Sequence, residues 1–212
     1  MSYRITGTGS CIPDITKKNS DFLKNKFLDI DGGKFQSSNS EIIDKFNSIT
    51  GIYERRYAPD EINCSDLAAV AAGLAINDSK LDQETLDYII VAHNTGDISC
   101  SSGQVDTLPS VASKVKAKLK IKNPNCVAYD IICGCPGWVE GIIQAKSFIK
   151  SGMAEKCLVI GCDTLSRILD ENDRDSMIYA DGSGAIVLES DSSYNGGILS
   201  HKSATFTYDG EN

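Results

Sequence analysis

Apolar positions along this chain switch between two periods, and the switches mark out its elements. Ile42, Ile43, Phe46 and Ile49 recur at helical spacing and predict a helix over residues 41–49. A second helix is predicted from Ser65, its candidate cap, to about Asn77, with Leu67, Val70, Ala71, Leu74 and Ala75 on the apolar side. A third starts at Pro109, a residue suited to a first helical turn, and continues through Val111, Val115 and Leu119. A fourth covers residues 136–150 and stops at Gly152.

Between them lie short runs that read as strands: residues 3–12, 86–92, 127–132, 158–162, 177–179 and 185–188, with a last long one at 197–206. Asp181-Gly182-Ser183-Gly184 reads as a turn, and residues 13–40 and 93–108 read as loops. Continuous apolar strands alternating with helices predict an α/β fold with a mainly parallel sheet covered on both faces. The helix over 136–150 is apolar around much of its circumference (Trp138, Val139, Ile142, Ile143, Phe148, Ile149) and is expected to be a buried central helix.

The 212 residues include 21 Lys+Arg and 29 Asp+Glu, a net charge of −8. That balance argues against a general nucleic-acid binder, which needs clustered cations. No run approaches the roughly 18 apolar residues of a membrane span. Residues 1–7 contain no apolar signal core, so a cytoplasmic address is expected. The loop at Asp29 lacks the Gly and Glu of a calcium loop, having Lys34 and Ser40 there, and is read as a surface loop.

Eight cysteines are present, at 11, 64, 100, 126, 133, 135, 157 and 162. Most sit inside apolar runs, so reduced, buried thiols are expected. One segment differs: Ala128-Tyr129-Asp130-Ile131-Ile132-Cys133-Gly134-Cys135-Pro136-Gly137-Trp138. Here a strand ends, one small residue turns the chain, and a thiol stands where a helix begins. The positive end of a helix macrodipole favours a thiolate, the nucleophilic form. A Cys-x-Cys metal site would need further ligands, and the two histidines, His93 and His201, are distant in sequence; no metal is expected.

This segment resembles the active-site segment of the β-ketoacyl-acyl-carrier-protein synthase III family, of the thiolase superfamily. Three further motifs resemble that family in order and spacing. They are Thr50-Gly51-Ile52-Tyr53-Glu54-Arg55-Arg56, then Lys150-Ser151-Gly152 with Leu158-Val159-Ile160-Gly161, then Asp173-Arg174 with Asp181-Gly182-Ser183-Gly184-Ala185. The resemblance runs from about residue 3 to 200. It implies a thiolase-like fold of which residues 1–212 form the N-terminal half, with a mixed, mainly parallel five-stranded sheet. It implies an acyltransferase whose cysteine takes an acyl group from a thioester and then undergoes decarboxylative Claisen condensation with a malonyl carrier-protein thioester. Acyl-CoA and acyl carrier protein are implied as substrates, with no bound cofactor, and a homodimer is implied for the complete enzyme.

Within that resemblance Asp130 and Gly137 select Cys135, not Cys133, as nucleophile. Arg174 matches the arginine that contacts the coenzyme A nucleotide. Leu108 matches the position from which a partner subunit supplies a pocket residue; the alternative is a core contact. The family's Trp and Arg that clamp the adenine fall, by ungapped count from Gly51, on Lys45 and Ile49. Loss of that clamp points toward a carrier-bound or unusual acyl donor. The family's catalytic His and Asn belong to a C-terminal half, and neither His93 nor His201 matches them. The chain is therefore expected to be acylated but not to condense alone, and the outer side of the 136–150 helix is expected to be covered by the missing half or another chain. Alternatives are a specialised acyltransferase of secondary metabolism, a non-catalytic dimerising or carrier-docking module, or a Cys133–Cys135 redox module.

Overall fold

The computed structural model describes residues 2–208. In chain order the strands are β1 (Tyr3–Cys11), β2 (Ile15–Lys18), β3 (Glu54–Tyr57), β4 (Tyr88–His93), β5 (Asp97–Ile98), β6 (Val105–Asp106), β7 (Val127–Ile132), β8 (Lys156–Thr164) and β9 (Asp181–Ser190). The α-helices are α1 (Asn39–Thr50), α2 (Cys64–Ser79), α3 (Val111–Lys118) and α4 (Gly137–Ser151). Five strands form the main sheet in the order β1-β9-β8-β4-β7. β4 runs parallel to both β7 and β8, while β9 is antiparallel to its neighbours β8 and β1. Four of the five strands thus share one direction, as the apolar runs predicted.

Side-chain alternation along the central strands divides the core in two. Ile89, Val91, Leu158 and Ile160 face α2 and α3, and Ile90, Cys157 and Val159 face α4. Each fully buried Ile or Val stabilises the fold by about 1.5–3 kcal/mol relative to exposure. A third cluster stands apart from the sheet: Phe22, Phe27, Ile42, Ile43, Phe46 and Met177, with Phe35 and Ile52 against it. Arg55, from β3, is buried beside this cluster. Its guanidinium donates to the Met177 carbonyl at 3.0 Å, the Lys17 carbonyl at 3.1 Å and Asn19 Oδ1 at 2.6 Å.

Several local expectations are corrected. Residues 197–206 form no strand; beside the edge strand β1, Ile198 donates its N–H to the Tyr3 hydroxyl at 3.0 Å, a side-chain contact in place of a backbone ladder. Residues 177–179 lie at the end of a 3-10 helix, Arg174–Ile178, rather than in a strand. Asp181-Gly182-Ser183-Gly184 is not a turn but the start of β9, paired throughout with β8 and, at Ser183 and Gly184, also with β1. The helix predicted from Ser65 begins at Cys64 after Asn63, and Ser65 itself is buried, donating through Oγ to Asp97 at 2.9 Å. Pro109 precedes the third helix, whose cap is Ser110. Ile49, Val70 and Leu74, expected on apolar faces, are exposed. The predicted 93–108 loop holds the β5–β6 hairpin, anchored by Lys114 Nζ to Asp97 at 3.1 Å and to Asp106 at 2.8 Å. Among the described residues no helix is long and apolar enough to cross a membrane.

Candidate active site

β7 delivers the chain to Ile132, and α4 begins at Gly137. The intervening Cys133-Gly134-Cys135-Pro136 makes a tight turn closed by the Gly137 N–H donating to the Gly134 carbonyl at 3.0 Å. Gly134 has φ +54°, a conformation in which a side chain is strained. Both Cys133 and Cys135 are exposed. α4 sits deep in the sheet because small residues line the contact: a Cβ on Gly141 would lie 2.9 Å from Val159 Cγ1, and one on Gly161 would lie 3.3 Å from the Trp138 side chain. On α4 the buried residues are Gly137, Gly141, Ile142, Ala145 and Ile149, whereas Val139 is half exposed.

Two carboxylates lie at the ends of the neighbouring strands: Asp163 is linked to the turn through Asn94, and Asp130 ties α3 to the sheet. Asp163, on β8, accepts from the Asn94 N–H at 2.9 Å and from Asn94 Nδ2 at 2.7 Å. Burial pushes the Asp163 carboxyl above the usual carboxylate range, against the lowering effect of Asn94. Asn94 in turn lies beside Gly134, whose Cβ position would be 3.4 Å from Asn94 Oδ1. Asp130, on β7, faces His93 and the first turn of α3. It accepts from His93 Nε2 at 3.0 Å and from the Val111 and Ala112 N–H groups at 2.7 and 2.8 Å. Burial pushes Asp130 up, but these hydrogen bonds more than reverse it and hold the carboxyl below its ordinary range. The aspartate that identified the segment therefore docks α3 to the sheet. Reasoning from sequence missed Asn94 and Asp163; both sit at the C-terminal ends of parallel strands, where α/β folds build sites.

The other thiols are in different surroundings. Cys64 and Cys162 lie in the core with their sulfurs 2.9 Å apart. Burial pushes the Cys157 thiol to about 12. Among the described residues no group of three His, Cys, Asp or Glu could hold a metal ion.

Arg174 lies at the start of its 3-10 helix, capped by Asp173, which accepts from the Asp175 N–H at 2.8 Å. Its guanidinium carbon stands 4.9 Å from the centre of the Phe35 ring. It lines a pocket of about 400 Å³ with Phe35, Lys45, Phe46, Ile49 and Ile178. Lys45 and Ile49 line this pocket together with Arg174, and Phe46 of α1 and Phe35, which no spacing within residues 13–40 singled out, contribute its aromatic rings. Cys135 does not line this pocket. Leu108 is 83% exposed, which overturns the core-contact alternative: the β5–β6 hairpin and the capped α3 hold the adjoining chain outward.

The comparisons agree with this architecture. Residues 129–206 match the family described as 3-oxoacyl-[acyl-carrier-protein (ACP)] synthase III. The chain is 37% identical over 200 residues to the β-ketoacyl-[acyl-carrier-protein] synthase III of Ehrlichia ruminantium (strain Welgevonden), covering 94% of this chain and 56% of that protein. It is 39% identical over 190 residues to the corresponding synthase of Neisseria gonorrhoeae (strain NCCP11945), covering 89% and 52%. The crystal structure of 3-oxoacyl-[acyl-carrier-protein] synthase III from Aquifex aeolicus superposes with TM-score 0.71 at 33% identity, over 90% of this chain and 55% of that one. The chain spans about half the length of the curated relatives it matches. A thiolase-like sheet carrying the expected motifs in order, matched in sequence by these synthases along most of its length, makes the chain a member of the β-ketoacyl-[acyl-carrier-protein] synthase III family.

Proposed function

We propose that the chain carries the acyl-accepting part of a 3-oxoacyl-[acyl-carrier-protein] synthase III-type condensing enzyme, with Cys135 as nucleophile. The observation that carries this reading is the exposed Cys135, held on a glycine turn between β7 and α4 inside the family's matching segment. In the first step the Cys135 sulfur attacks the carbonyl carbon of an acyl thioester. A new S–acyl bond forms, the donor C–S bond breaks, and the donor leaves as a free thiol carrying the proton. The N–H of Cys135 is a candidate oxyanion donor; Pro136, which lacks an N–H, does not remove it. In the second step a malonyl carrier-protein thioester loses carbon dioxide, its carbanion forms a C–C bond to the acyl carbon, and the Cys135 sulfur is released.

Decarboxylation requires donors at the malonyl thioester carbonyl. His93 is buried against Asp130 and His201 is not at a family position, so residues outside this chain supply them. Residues 1–212 are then one thiolase-like domain of the enzyme. Arg174 meets the donor's nucleotide, and Leu108 reaches a partner subunit's acyl pocket in a homodimer. Acyl-CoA or an acyl-carrier thioester and malonyl carrier protein are the substrates, with no cofactor and a cytoplasmic setting.

The test is intact-protein mass spectrometry after mixing the chain with acyl-CoA and acyl-carrier thioesters, with Cys135→Ala and Cys133→Ala alongside. One acyl adduct, lost only in Cys135→Ala, is expected. An adduct that persists in Cys135→Ala and disappears in Cys133→Ala would reassign the nucleophile. Loss of 2 Da in place of an adduct would favour a Cys133–Cys135 redox pair.

A further inference from the structure

Strand β4 presents one row of side chains toward α4, namely Ile90, Ala92 and Asn94, at the two-residue period of a strand. Each member of the row meets a glycine. A Cβ on Gly141 would lie 3.5 Å from Ile90 Cγ2, one on Gly137 would lie 3.1 Å from Ala92 Cβ, and one on Gly134 would lie 3.4 Å from Asn94 Oδ1. The row therefore tracks α4 back to its first residue and then meets the turn that carries Cys135. Its last member is polar where the first two are apolar.

That amide is gripped from the next strand. The β4–β8 ladder ends at Ala92 and Gly161. Beyond it the Asp163 carboxylate accepts from both the Asn94 N–H and Asn94 Nδ2, at 2.9 and 2.7 Å. A side chain thus replaces backbone pairing where the two strands part. Among the described residues the Asp163 carboxylate accepts from Asn94 alone, whereas Asp130 accepts from three groups. The two bonds do not offset burial, which holds Asp163 above the ordinary carboxylate range. As a device for stability alone such a pair is poor. What it secures is the place of the Asn94 oxygen beside Gly134. Gly134, at φ +54°, has no side chain of its own to fix the turn.

We infer that Asn94 is a positioning residue for Cys135: clamped by Asp163, it holds the Cys133-Gly134-Cys135 turn in the shape that presents the nucleophile to the acyl thioester. This rests on the reading that Cys135 is the acylated residue. Asn94 acts through the turn, so its loss should slow acyl transfer without weakening donor binding.

The experiment follows single-turnover acylation of Cys135 by intact mass against donor concentration, using the fastest of acetyl-, hexanoyl- and decanoyl-CoA. The chain is compared with Asn94→Ala, Asn94→Asp and the double swap Asn94→Asp/Asp163→Asn. In the swap the amide at 163 donates to the carboxylate at 94, and its oxygen accepts the backbone N–H of 94. Each single variant is expected to lower the maximal rate about tenfold, less than the roughly hundredfold that a 1 Å misplacement can cost, at an unchanged half-saturating concentration. The swap is expected to return the rate to within about threefold of the original, the non-additivity of a contacting pair. Alkylation of Cys157 reports loosening of the core in the same samples. If the rate falls only as Cys157 becomes reactive, and the swap does not restore it, the role is merely structural and the inference is overturned. A rise in half-saturating concentration at an unchanged maximal rate would overturn it too, because Asn94 would then meet the donor. Normal acylation in Asn94→Ala would sink the inference and leave the reading of Cys135 standing. No adduct at Cys135 in the unsubstituted chain would remove that reading and the inference with it.

Discussion

Asp130 and His93, on neighbouring parallel strands, share a hydrogen bond of 3.0 Å, and the same carboxylate closes the N-terminus of α3. The most recognisable acidic residue of the motif thus ties α3 to the sheet. Its charge meets two helix N–H groups and the helix dipole, a combination that stabilises carboxylates.

The pH dependence follows from that geometry. The folded-state pKa of Asp130 is lowered, so its contribution to stability is complete above the unfolded carboxylate value of about 4 and is lost as pH falls below it. Asp130→Asn should cost about 1–3 kcal/mol at neutral pH and should flatten the acid side of the stability curve. Denaturant melts between neutral pH and pH 3 check both; an unchanged acid slope in the variant would refute the assignment.

Thiol reactivity should divide the cysteines by position. Cys133, Cys135 and Cys100 are exposed, whereas Cys64, Cys126, Cys157 and Cys162 are buried. Native alkylation at pH 8 followed by peptide mapping should label the first three and spare the buried four until the chain is unfolded. Burial raises Cys157 to about 12, so it should be among the last to react. Rapid labelling of Cys157 in the folded chain would contradict the packing of the α4 face.

Arg55 belongs to a motif that resembles the family's, yet its side chain is inside the fold. It donates to two carbonyls and to Asn19, and its guanidinium stacks 5.1 Å from the Phe22 ring centre. Arg55→Ala leaves those acceptors buried and unpaired and should destabilise by at least about 2 kcal/mol. Arg55→Lys should recover little, because a lysine cannot reproduce the fork. A Tm unchanged in Arg55→Ala would show that the acceptors find other partners.

Gly141 lets α4 approach the sheet. Alanine would gain roughly 1 kcal/mol of helix propensity, but its Cβ would stand 2.9 Å from Val159 Cγ1. Overpacking of that kind costs about 1–3 kcal/mol, so Gly141→Ala should be neutral to destabilising by about 2 kcal/mol. Pairing it with Val159→Ala should relieve the clash. Stabilisation by Gly141→Ala alone would mean that α4 can shift outward freely.

Periodicity and punctuation determine much of this protein before any folding is considered. Val127–Ile132 reads as a strand and is one, and α1, α3 and α4 fall within a few residues of their apolar patterns. The turn at Cys133-Gly134-Cys135 is legible because a glycine between a strand and a helix is a local signal. What the chain alone could not decide is what depends on partners far along it. Asp181-Gly182-Ser183-Gly184 has turn chemistry, but pairing with β8 along its length, and with β1 at Ser183 and Gly184, holds it extended. Residues 197–206 read as a strand, yet beside β1 the Ile198 N–H goes to the Tyr3 hydroxyl and no ladder forms. Phe35 meets Arg174 across 139 positions of sequence, and Asn94 meets Asp163 across 69. Local spacing encodes which face of an element is apolar; only the packed sheet decides which side chains from distant segments share one place.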